Sequence, residues 1–483
     1  MTEKRSTSVQ VPHENELFVG GRWVAPSTSD RAEVVSPATG AVVRTLPRPA
    51  VADAEAAVAA ARAAFPGWSA LAPEERLEYV SRFCAALDAR ADDINAAWAV
   101  EAGMPLRDGR ALTSAASEMW NHALETAKTL EYSEIRETFQ GPVEIRREPQ
   151  GPTVAIVAFN GPHMQTALAI VPGLIVGNPF ILKLPPLNRM LGYFLADAAA
   201  EAGFPDGVFS VLAGDADVSQ HLVEHPDVAA VHFTGGNEVG SAIMRSCADR
   251  IAHVTLELGG KSAAIVAADA DLDVAVPALV DGLAQYSGQI CVAMTRILVD
   301  RRIHDELVQR LVAGFAALTI GDPAEPDTQW GPLAGETFRD RAEGYIERAV
   351  AAGATVAYGG SRPAGFDEGW YLEPTLLTGV TNDMEVAQNE IFGPVFCVIP
   401  FDDLDEAVAL ANDSRYGLAG SVFTRDTDTA RSIARQVRTG VFAVNATFPR
   451  LTGPFGGMKQ SGFGREGGVE GFWELTTTKC IAL

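Results

Sequence analysis

Short apolar runs recur about every 20 to 30 residues from position 150 onward, and they constrain the fold more than any other feature of the sequence. Residues 153–159 and 179–184 are the first two runs, and helical patterns with Gly, Asn or Pro turns separate them. A strand that is apolar throughout is buried on both faces, as in parallel sheets covered by helices. The pattern therefore predicts an α/β fold with doubly wound parallel sheets.

A second series of apolar runs begins after about residue 260, which predicts a second parallel-sheet domain. With 483 residues the chain has room for two or three domains. The segment from residue 50 to residue 130 is predicted to be largely helical. We place the first domain at residues 1–127 and 149–256, and the second at 257–460, on the positions of the motifs described below.

Two further segments, 128–148 and 471–483, have the character of isolated strands. Two lone strands cannot form a core of their own. We therefore predict that they pair with each other or with another subunit by edge addition, as a small β oligomerisation element.

Composition excludes several classes of partner. A net charge of −24 with no run of Lys or Arg argues against nucleic acid. The longest apolar stretch, 167–176, is shorter than the roughly 20 residues of a membrane span. Five widely spaced cysteines without a Cys-x-x-Cys pair favour neither a disulfide framework nor a zinc site, so we expect no metal. These features predict a cytoplasmic protein with reduced thiols.

Three polar groups follow the strands of the first series. Asn160 ends the first run, Lys183 ends the second, and Gly235 with Gly236 forms a turn before a helix. Ligands bind at the carboxyl ends of parallel strands, where an amide can hold an oxyanion and backbone N–H groups can face a phosphate. A turn Asn, a surface Lys and a plain loop are the alternatives, and no Gly-x-Gly-x-x-Gly motif is present.

Glu257 and Cys291 are the candidates for chemistry. Glu257 lies in an apolar run just before Gly259 and Gly260, where burial would raise its pKa toward that of a general base. Cys291 follows Gly288, which permits the close backbone approach that a nucleophile loop uses. Taken singly, an exposed loop Glu and an inert buried Cys are equally ordinary interpretations.

Taken together, these motifs resemble the aldehyde dehydrogenase superfamily over nearly the whole chain. Residues 256–261 (Leu-Glu-Leu-Gly-Gly-Lys) and 288–291 (Gly-Gln-Ile-Cys) resemble the glutamate and cysteine motifs of that family, with 34 positions between Glu257 and Cys291. Residues 389–395 (Asn-Glu-Ile-Phe-Gly-Pro-Val) resemble its cofactor-ribose motif. The resemblance implies a Rossmann-like cofactor domain followed by an α/β catalytic domain.

The resemblance also implies a mechanism. Cys291 attacks an aldehyde, Asn160 and the Cys291 N–H hold the oxyanion, and Glu257 activates the water that hydrolyses the thioester. Glu390 holds the nicotinamide ribose, and Phe392 packs against it. The cofactor, NAD or NADP, is expected to contact a set of residues from both domains: Phe159, Lys183, Gly235, Gly236, Gly240, Leu258, Glu390 and Phe392.

Two departures from the family pattern bear on specificity. Pro186 stands where many members carry a ribose-binding Glu, so a 2′-phosphate meets no repulsion and NADP use is open. Gly161 stands where the family usually has an aromatic residue, so we expect it to widen the tunnel through which the substrate reaches Cys291. The candidate tunnel residues are mostly apolar and favour an apolar or aromatic aldehyde: Met119, Trp120, Met164, Leu168, Tyr286, Ile290, Phe448 and Phe455.

Other functions stay open at this stage. Arg450 could bind a substrate carboxylate, as in a semialdehyde dehydrogenase. A non-redox cysteine acyl hydrolase or transferase would need a histidine base, and no His has an evident pairing with Cys291. The strand-like segments imply a homodimer or homotetramer.

Overall fold

A computed structural model describes residues 9–483. Its α-helices, in chain order, are α1 (Val51–Ala70), α2 (Pro73–Ala89), α3 (Ala91–Ala102), α4 (Leu106–Ala127), α5 (Pro162–Gln165), α6 (Val171–Val176), α7 (Arg189–Ala202), α8 (Ala216–Glu224), α9 (Asn237–Ala248), α10 (Leu272–Ala284), α11 (His304–Ala316), α12 (Glu336–Ala351), α13 (Glu385–Gln388), α14 (Leu404–Asn412), α15 (Thr427–Gln436) and α16 (Gly468–Glu474).

The strands are β1 (Leu17–Val19), β2 (Arg22–Val24), β3 (Arg31–Val35), β4 (Val42–Pro47), β5 (Ser133–Thr138), β6 (Gly141–Pro149), β7 (Thr153–Ile156), β8 (Phe180–Leu184), β9 (Phe209–Ala213), β10 (Ala230–Gly235), β11 (His253–Leu258), β12 (Ala263–Val266), β13 (Arg296–Asp300), β14 (Thr355–Tyr358), β15 (Thr375–Thr378), β16 (Val395–Phe401), β17 (Ala419–Phe423), β18 (Val441–Val444), β19 (Gly462–Phe463) and β20 (Thr476–Ala482).

The first sheet has the order β19-β11-β10-β7-β8-β9-β1-β2, and β11 through β9 run parallel. Its central strands are buried on both faces. Phe180 and Leu182 pack into the largest hydrophobic core, whereas Ile181 between them packs into a separate core on the other face. Such two-sided burial is the reason that these strands are apolar throughout. The predicted parallel α/β fold is confirmed.

The second sheet has the order β14-β15-β16-β13-β12-β17-β18 and is parallel apart from β14. The chain passes from the first sheet to the second through Gly259-Gly260-Lys261, between β11 and β12. Glu257 therefore lies at the carboxyl end of the last parallel strand of the first sheet.

The third sheet, β20-β6-β5, stands apart from the other two. β20 pairs with β6 over seven residues, from Thr476 opposite Pro149 to Ala482 opposite Val143. The two predicted lone segments thus pair with each other. Phe139, at the turn between β5 and β6, is 97% exposed, so this sheet carries unpartnered apolar surface.

Several short strands have no counterpart in the sequence analysis. β1 and β2 extend one edge of the first sheet antiparallel to β9, and two-residue β19 pairs with Leu256 and Glu257 at the other edge. Strands of two or three residues are too short to show a period, so tertiary contacts define them. Within residues 9–483, none of the helices combines the length and the apolar character that crossing a bilayer requires.

Candidate active site

A cavity of about 890 Å³ opens at the carboxyl ends of β7, β8, β10 and β11 and reaches residues of the second sheet's domain. It brings together most of the predicted site residues, although they are far apart in sequence. Those on its lining are Phe159, Asn160, Lys183, Gly235, Gly236, Glu257, Leu258, Cys291, Glu390 and Phe392. The location agrees with the general rule for ligands on parallel sheets.

The loop that presents Cys291 has an unusual backbone. Tyr286 and Ser287 have φ angles of 46° and 52°, in the left-handed region that non-glycine residues rarely adopt. The buried Asp108 carboxylate accepts the Tyr286 N–H at 2.9 Å, and Ser287 Oγ donates to the Gly331 carbonyl at 2.8 Å. Left-handed residues cost of order 1–3 kcal/mol each and persist where the surroundings hold them. These side chains therefore fix the loop in a geometry that local preference disfavours.

The Cys291 thiol is free, and its environment favours the protonated form. Burial, together with the negative charges of Glu390 and Glu257, raises its pKa to about 12. Because the thiolate is the nucleophile, the resting thiol needs a base or a bound cationic group to become reactive. Neither neighbouring carboxylate can lower its pKa by charge, since both are negative.

Asn160 lies beside the backbone of the cysteine loop. Its Nδ2 donates to the Gln289 carbonyl at 3.0 Å, and the Gln289 side chain in turn accepts the Ala334 N–H at 3.0 Å. An amide NH2 carries two hydrogens, so this bond orients the group and leaves the second hydrogen for another acceptor. That geometry suits an oxyanion donor.

Glu257 is 3% exposed, and neither carboxylate oxygen has a hydrogen-bond partner among residues 9–483. Burial raises its pKa well above the ordinary value, the charge of Glu466 raises it further, and Arg465 opposes both effects. An unpartnered buried carboxylate with a raised pKa is suited to accept and release a proton.

Glu390 is held more firmly. Its Oε1 accepts the Gly260 N–H at 3.1 Å, and a Cβ on Gly259 would come within 1.9 Å of the other carboxylate oxygen. Glycine at 259 is therefore required by space. Burial raises the pKa of Glu390 to about 7, against the opposing effects of the Gly260 hydrogen bond and the Arg341 charge.

The rings of Phe392 and Phe159 meet edge to face on the cavity lining, with 5.7 Å between their centroids, and Phe392 has a left-handed φ of 59°.

The end of the cavity that we call the far end is the one lined by Lys183. Lys183 is buried, which lowers its pKa to about 8. Pro185 and Pro186 line the same end. Asp215 lies there too, but its carboxylate is paired with Arg48 and Arg189, each at 2.7 Å.

Three residues that were predicted for the cofactor site or the substrate tunnel do not lie on the cavity lining. Gly240 is not on the lining; a Cβ there would come within 2.7 Å of the Leu258 side chain, so Gly240 permits α9 to pack on β11. Trp120 is fully buried and lies edge to face with His163 at 5.0 Å. Tyr286 is also fully buried, and its hydroxyl donates to the Ala102 carbonyl at 2.5 Å. These corrections move both aromatic residues from the tunnel to the core.

The other tunnel candidates are divided. Met119 and Leu168 line a separate narrow cleft with Leu451 and Phe472. A second group is buried or half-buried and packs in the main core: Met164, Ile290, Phe448 and Phe455. Arg450 is exposed, so the structure adds nothing in favour of a carboxylate clamp.

Sequence reasoning missed two residues of α12. Phe338 and Arg341 both line the cavity; Phe338 contacts Phe159 at 5.1 Å, and Arg341 Nη2 donates to the main-chain carbonyl of Glu390 at 2.5 Å. The helix is an ordinary amphipathic one, and nothing in its sequence distinguishes these side chains from other surface-facing ones. Only the position of α12 against the Glu390 loop reveals them.

This geometry places a cysteine and two glutamates on the lining of one cavity at the carboxyl ends of parallel strands. The family profile described as "Aldehyde dehydrogenase family" matches residues 23–481. The chain therefore belongs to the aldehyde dehydrogenase family, and it is an oxidoreductase acting on aldehydes.

The similarity to known proteins extends over nearly the full length of this chain. The chain is 37% identical over 477 residues to geranial dehydrogenase of Castellaniella defragrans, covering 98% of this chain and 99% of the relative. The crystal structure of a Mycobacterium tuberculosis aldehyde dehydrogenase complexed with NAD+ matches with a TM-score of 0.94 at 40% identity, covering 97% and 98% of the two chains. An aldehyde dehydrogenase C variant of Pseudomonas syringae, complexed with NAD+ and octanal, matches with a TM-score of 0.95 at 35% identity, covering 99% and 98%.

Proposed function

We propose that this enzyme oxidises an apolar aldehyde to the free carboxylic acid with NAD(P)+, through a covalent thioester on Cys291. The observation that carries the proposal is that Cys291, Asn160, Glu257 and Glu390 line one cavity. The overall reaction converts aldehyde, water and NAD(P)+ into carboxylic acid, NAD(P)H and a proton.

Each residue has a task that its surroundings support. Cys291 loses its proton and its sulfur attacks the carbonyl carbon, while the free Asn160 N–H and the Cys291 backbone N–H bind the oxygen that becomes negative. The adduct then loses a hydride from the substrate carbon, for which NAD(P)+ would be the acceptor when bound, and a thioester is left. Glu257 then takes a proton from water, whose oxygen attacks the thioester and releases the acid and the thiol. The unpartnered carboxylate oxygens of Glu257 support this role.

The cavity fits a dinucleotide. Its lining includes both Pro186 and Cys291, and Thr234 Oγ1 on that lining is buried without a partner among the described residues, so a bound polar ligand would satisfy it. Glu390 would hold ribose hydroxyls with the carboxylate that Gly260 orients, Lys183 would reach the other ribose, and Phe392 would pack near the nicotinamide. When bound, NAD(P)+ supplies the acceptor for the hydride that leaves the substrate carbon.

NADP is a cofactor candidate beside NAD. The far end of the cavity carries Lys183 and Pro186, and Asp215 there is already neutralised by two arginines. A 2′-phosphate would therefore meet the Lys183 cation, and Glu224, which lines the same cavity without an ion pair among the described residues, is the carboxylate that would oppose it. The two solved structures named above are NAD+ complexes, which supports NAD as well.

An apolar aldehyde is supported by two observations. Met119 and Leu168, which were predicted for the substrate side, line a cleft together with the apolar side chains of Leu451 and Phe472. Geranial and octanal, named with two relatives, are both apolar aldehydes. We further propose a homo-oligomer in which the β20-β6-β5 sheet meets a second copy, and a cytoplasmic location, which five free cysteines support.

The test is NAD(P)H formation followed by absorbance with octanal, geranial, a short aldehyde and an aromatic aldehyde, each with NAD and NADP. Activity is expected with octanal and geranial, and Cys291→Ala should abolish it. The matched control is Cys480→Ala, because Cys480 is exposed on β20 and away from the cavity. Dehydrogenase activity that persists in Cys291→Ala would reject the proposal.

A further inference from the structure

His232 lies behind the part of the cavity lining that carries Glu257. It is on β10, opposite Thr255 of β11, and Thr234 two residues later is opposite Glu257. Side chains two apart along a strand share a face, so His232, Thr255 and Glu257 all point to one side of the sheet. His232 is 3% exposed, which places an ionisable ring deep beneath the proposed general base.

Two acidic residues from the end of the chain cover this face. Glu466, itself 2% exposed, accepts a hydrogen bond from His232 Nε2, and Glu474 Oε1 accepts the Thr255 hydroxyl at 3.4 Å. The Glu466 backbone is fixed by two hydrogen bonds with Phe455, at 2.7 and 2.8 Å. The next residue, Gly456, lies against Glu257: a Cβ there would come within 2.8 Å of Glu257 Oε1.

We propose that His232 is a positioning residue for thioester hydrolysis: its N–H holds the Glu466 carboxylate in place near Glu257, and the negative charge of that carboxylate keeps Glu257 ready to take a proton from water. This inference rests on the proposed function, and it adds a residue that touches neither substrate nor cofactor.

The physical argument is one of charge compensation. A buried carboxylate is costly without a hydrogen-bond donor, and the His232 N–H is the side-chain donor to Glu466 within residues 9–483. The Glu466 charge raises the pKa of Glu257, as does the smaller effect of Glu474, whereas Arg465 lowers it. The charge of Glu257 in turn raises the pKa of the Cys291 thiol. Without His232, the Glu466 carboxylate would lose this donor and with it its fixed position, and its repulsion of Glu257 would then weaken.

The experiment measures hydrolysis directly. The acyl-enzyme is formed on Cys291 with octanal and NAD+ in a single turnover, and its decay is followed by acid quench and intact-mass spectrometry from pH 5.5 to 9. His232→Ala and Glu466→Gln should each move the midpoint of the pH profile to lower pH, by about one unit. The double variant should shift no further than either single one.

Two variants separate this role from a structural one. His232→Gln places an N–H near the position of Nε2 and should restore the wild-type midpoint. His253→Ala removes an exposed histidine at the start of β11 and should leave the midpoint unchanged. If His232→Ala does not fold, the downward shift in Glu466→Gln carries the test.

A midpoint that stays in place or moves to higher pH in His232→Ala or Glu466→Gln would overturn the inference while leaving the proposed function intact. Failure to form any acyl-enzyme in the wild type would instead reject the proposed function itself.

Discussion

Glu257 and Glu390 lie on the lining of one cavity, and their carboxylates differ in hydrogen bonding. Both carboxylates are buried beside the Gly259-Gly260 turn, and burial raises the pKa of each. Glu390 accepts the Gly260 N–H, whereas Glu257 has no partner within the described chain. A carboxylate anchored by a backbone donor is suited to hold a ligand. A carboxylate left unpaired can exchange a proton, because no hydrogen bond from the described residues stabilises one of its charge states.

The largest expected effect comes from substituting Glu257, the unpaired carboxylate of this comparison. Glu257→Gln keeps the shape and removes the base, so NAD(P)H should form in one burst and steady-state turnover should fall by about 10²–10⁴-fold. Stopped-flow absorbance with octanal separates the two phases. Glu474→Gln is the control, since it removes a more distant charge beside the same face. An unchanged steady-state rate in Glu257→Gln would contradict the role given to Glu257.

The comparison also marks what sequence could predict. The apolar strands predicted the parallel sheets because two-sided burial dictates composition, and the motifs predicted which carboxylates meet at the cavity. The sequence could not predict that Glu257 is unpartnered and Glu390 is anchored, since that depends on how the Gly259-Gly260 turn packs. Trp120 and Tyr286 were misassigned to the tunnel because apolar character does not distinguish a cavity wall from a core.

The contribution of α12 and of the C-terminal segment illustrates the same limit. Arg341 and Glu466 are charged residues in unremarkable sequence surroundings, and each acquires its role from a neighbour distant in the chain. Arg341 donates to the Glu390 carbonyl, and Glu466 binds His232 across 234 positions. Long-range pairings of this kind leave no local period or motif.

The next largest effect is expected from substituting Glu390, the carboxylate that the Gly260 N–H anchors. Glu390→Gln weakens a charge-assisted bond to the ribose worth about 1.5–3 kcal/mol, so kcat/KM for the cofactor should fall roughly 10- to 100-fold. The burst should persist at saturating cofactor, unlike the loss of turnover in Glu257→Gln. Glu385→Gln, an exposed residue of α13 paired with Arg348, is the control and should behave as wild type. An unaltered cofactor KM in Glu390→Gln would show that its carboxylate does not contact the cofactor.

A third carboxylate can be added to sharpen the comparison. Pro186→Glu introduces a negative charge at the far end of the cavity, where a 2′-phosphate would lie. The ratio of kcat/KM for NADP to that for NAD should fall by about tenfold or more, because like charges repel. Measuring both cofactors in the wild type is the reference. A wild-type preference for NAD of about a hundredfold, or roughly 2.7 kcal/mol, would reject NADP as a cofactor.

The smallest effect concerns stability rather than rate. The pKa of Glu390 rises from 4.5 to about 7 on folding, so the folded state binds its proton more tightly than the unfolded chain does. Stability from this group is therefore fully present below pH 4.5 and is lost as the pH rises to about 7. In the cofactor-free enzyme, the Tm of the wild type should fall relative to that of Glu390→Gln between pH 5 and 7 and then run parallel. Differential scanning fluorimetry measures the difference, with Glu385→Gln as the matched control. A difference that does not change with pH would mean that Glu390 keeps its ordinary pKa, and the two carboxylates would then differ in charge state as well as in hydrogen bonding.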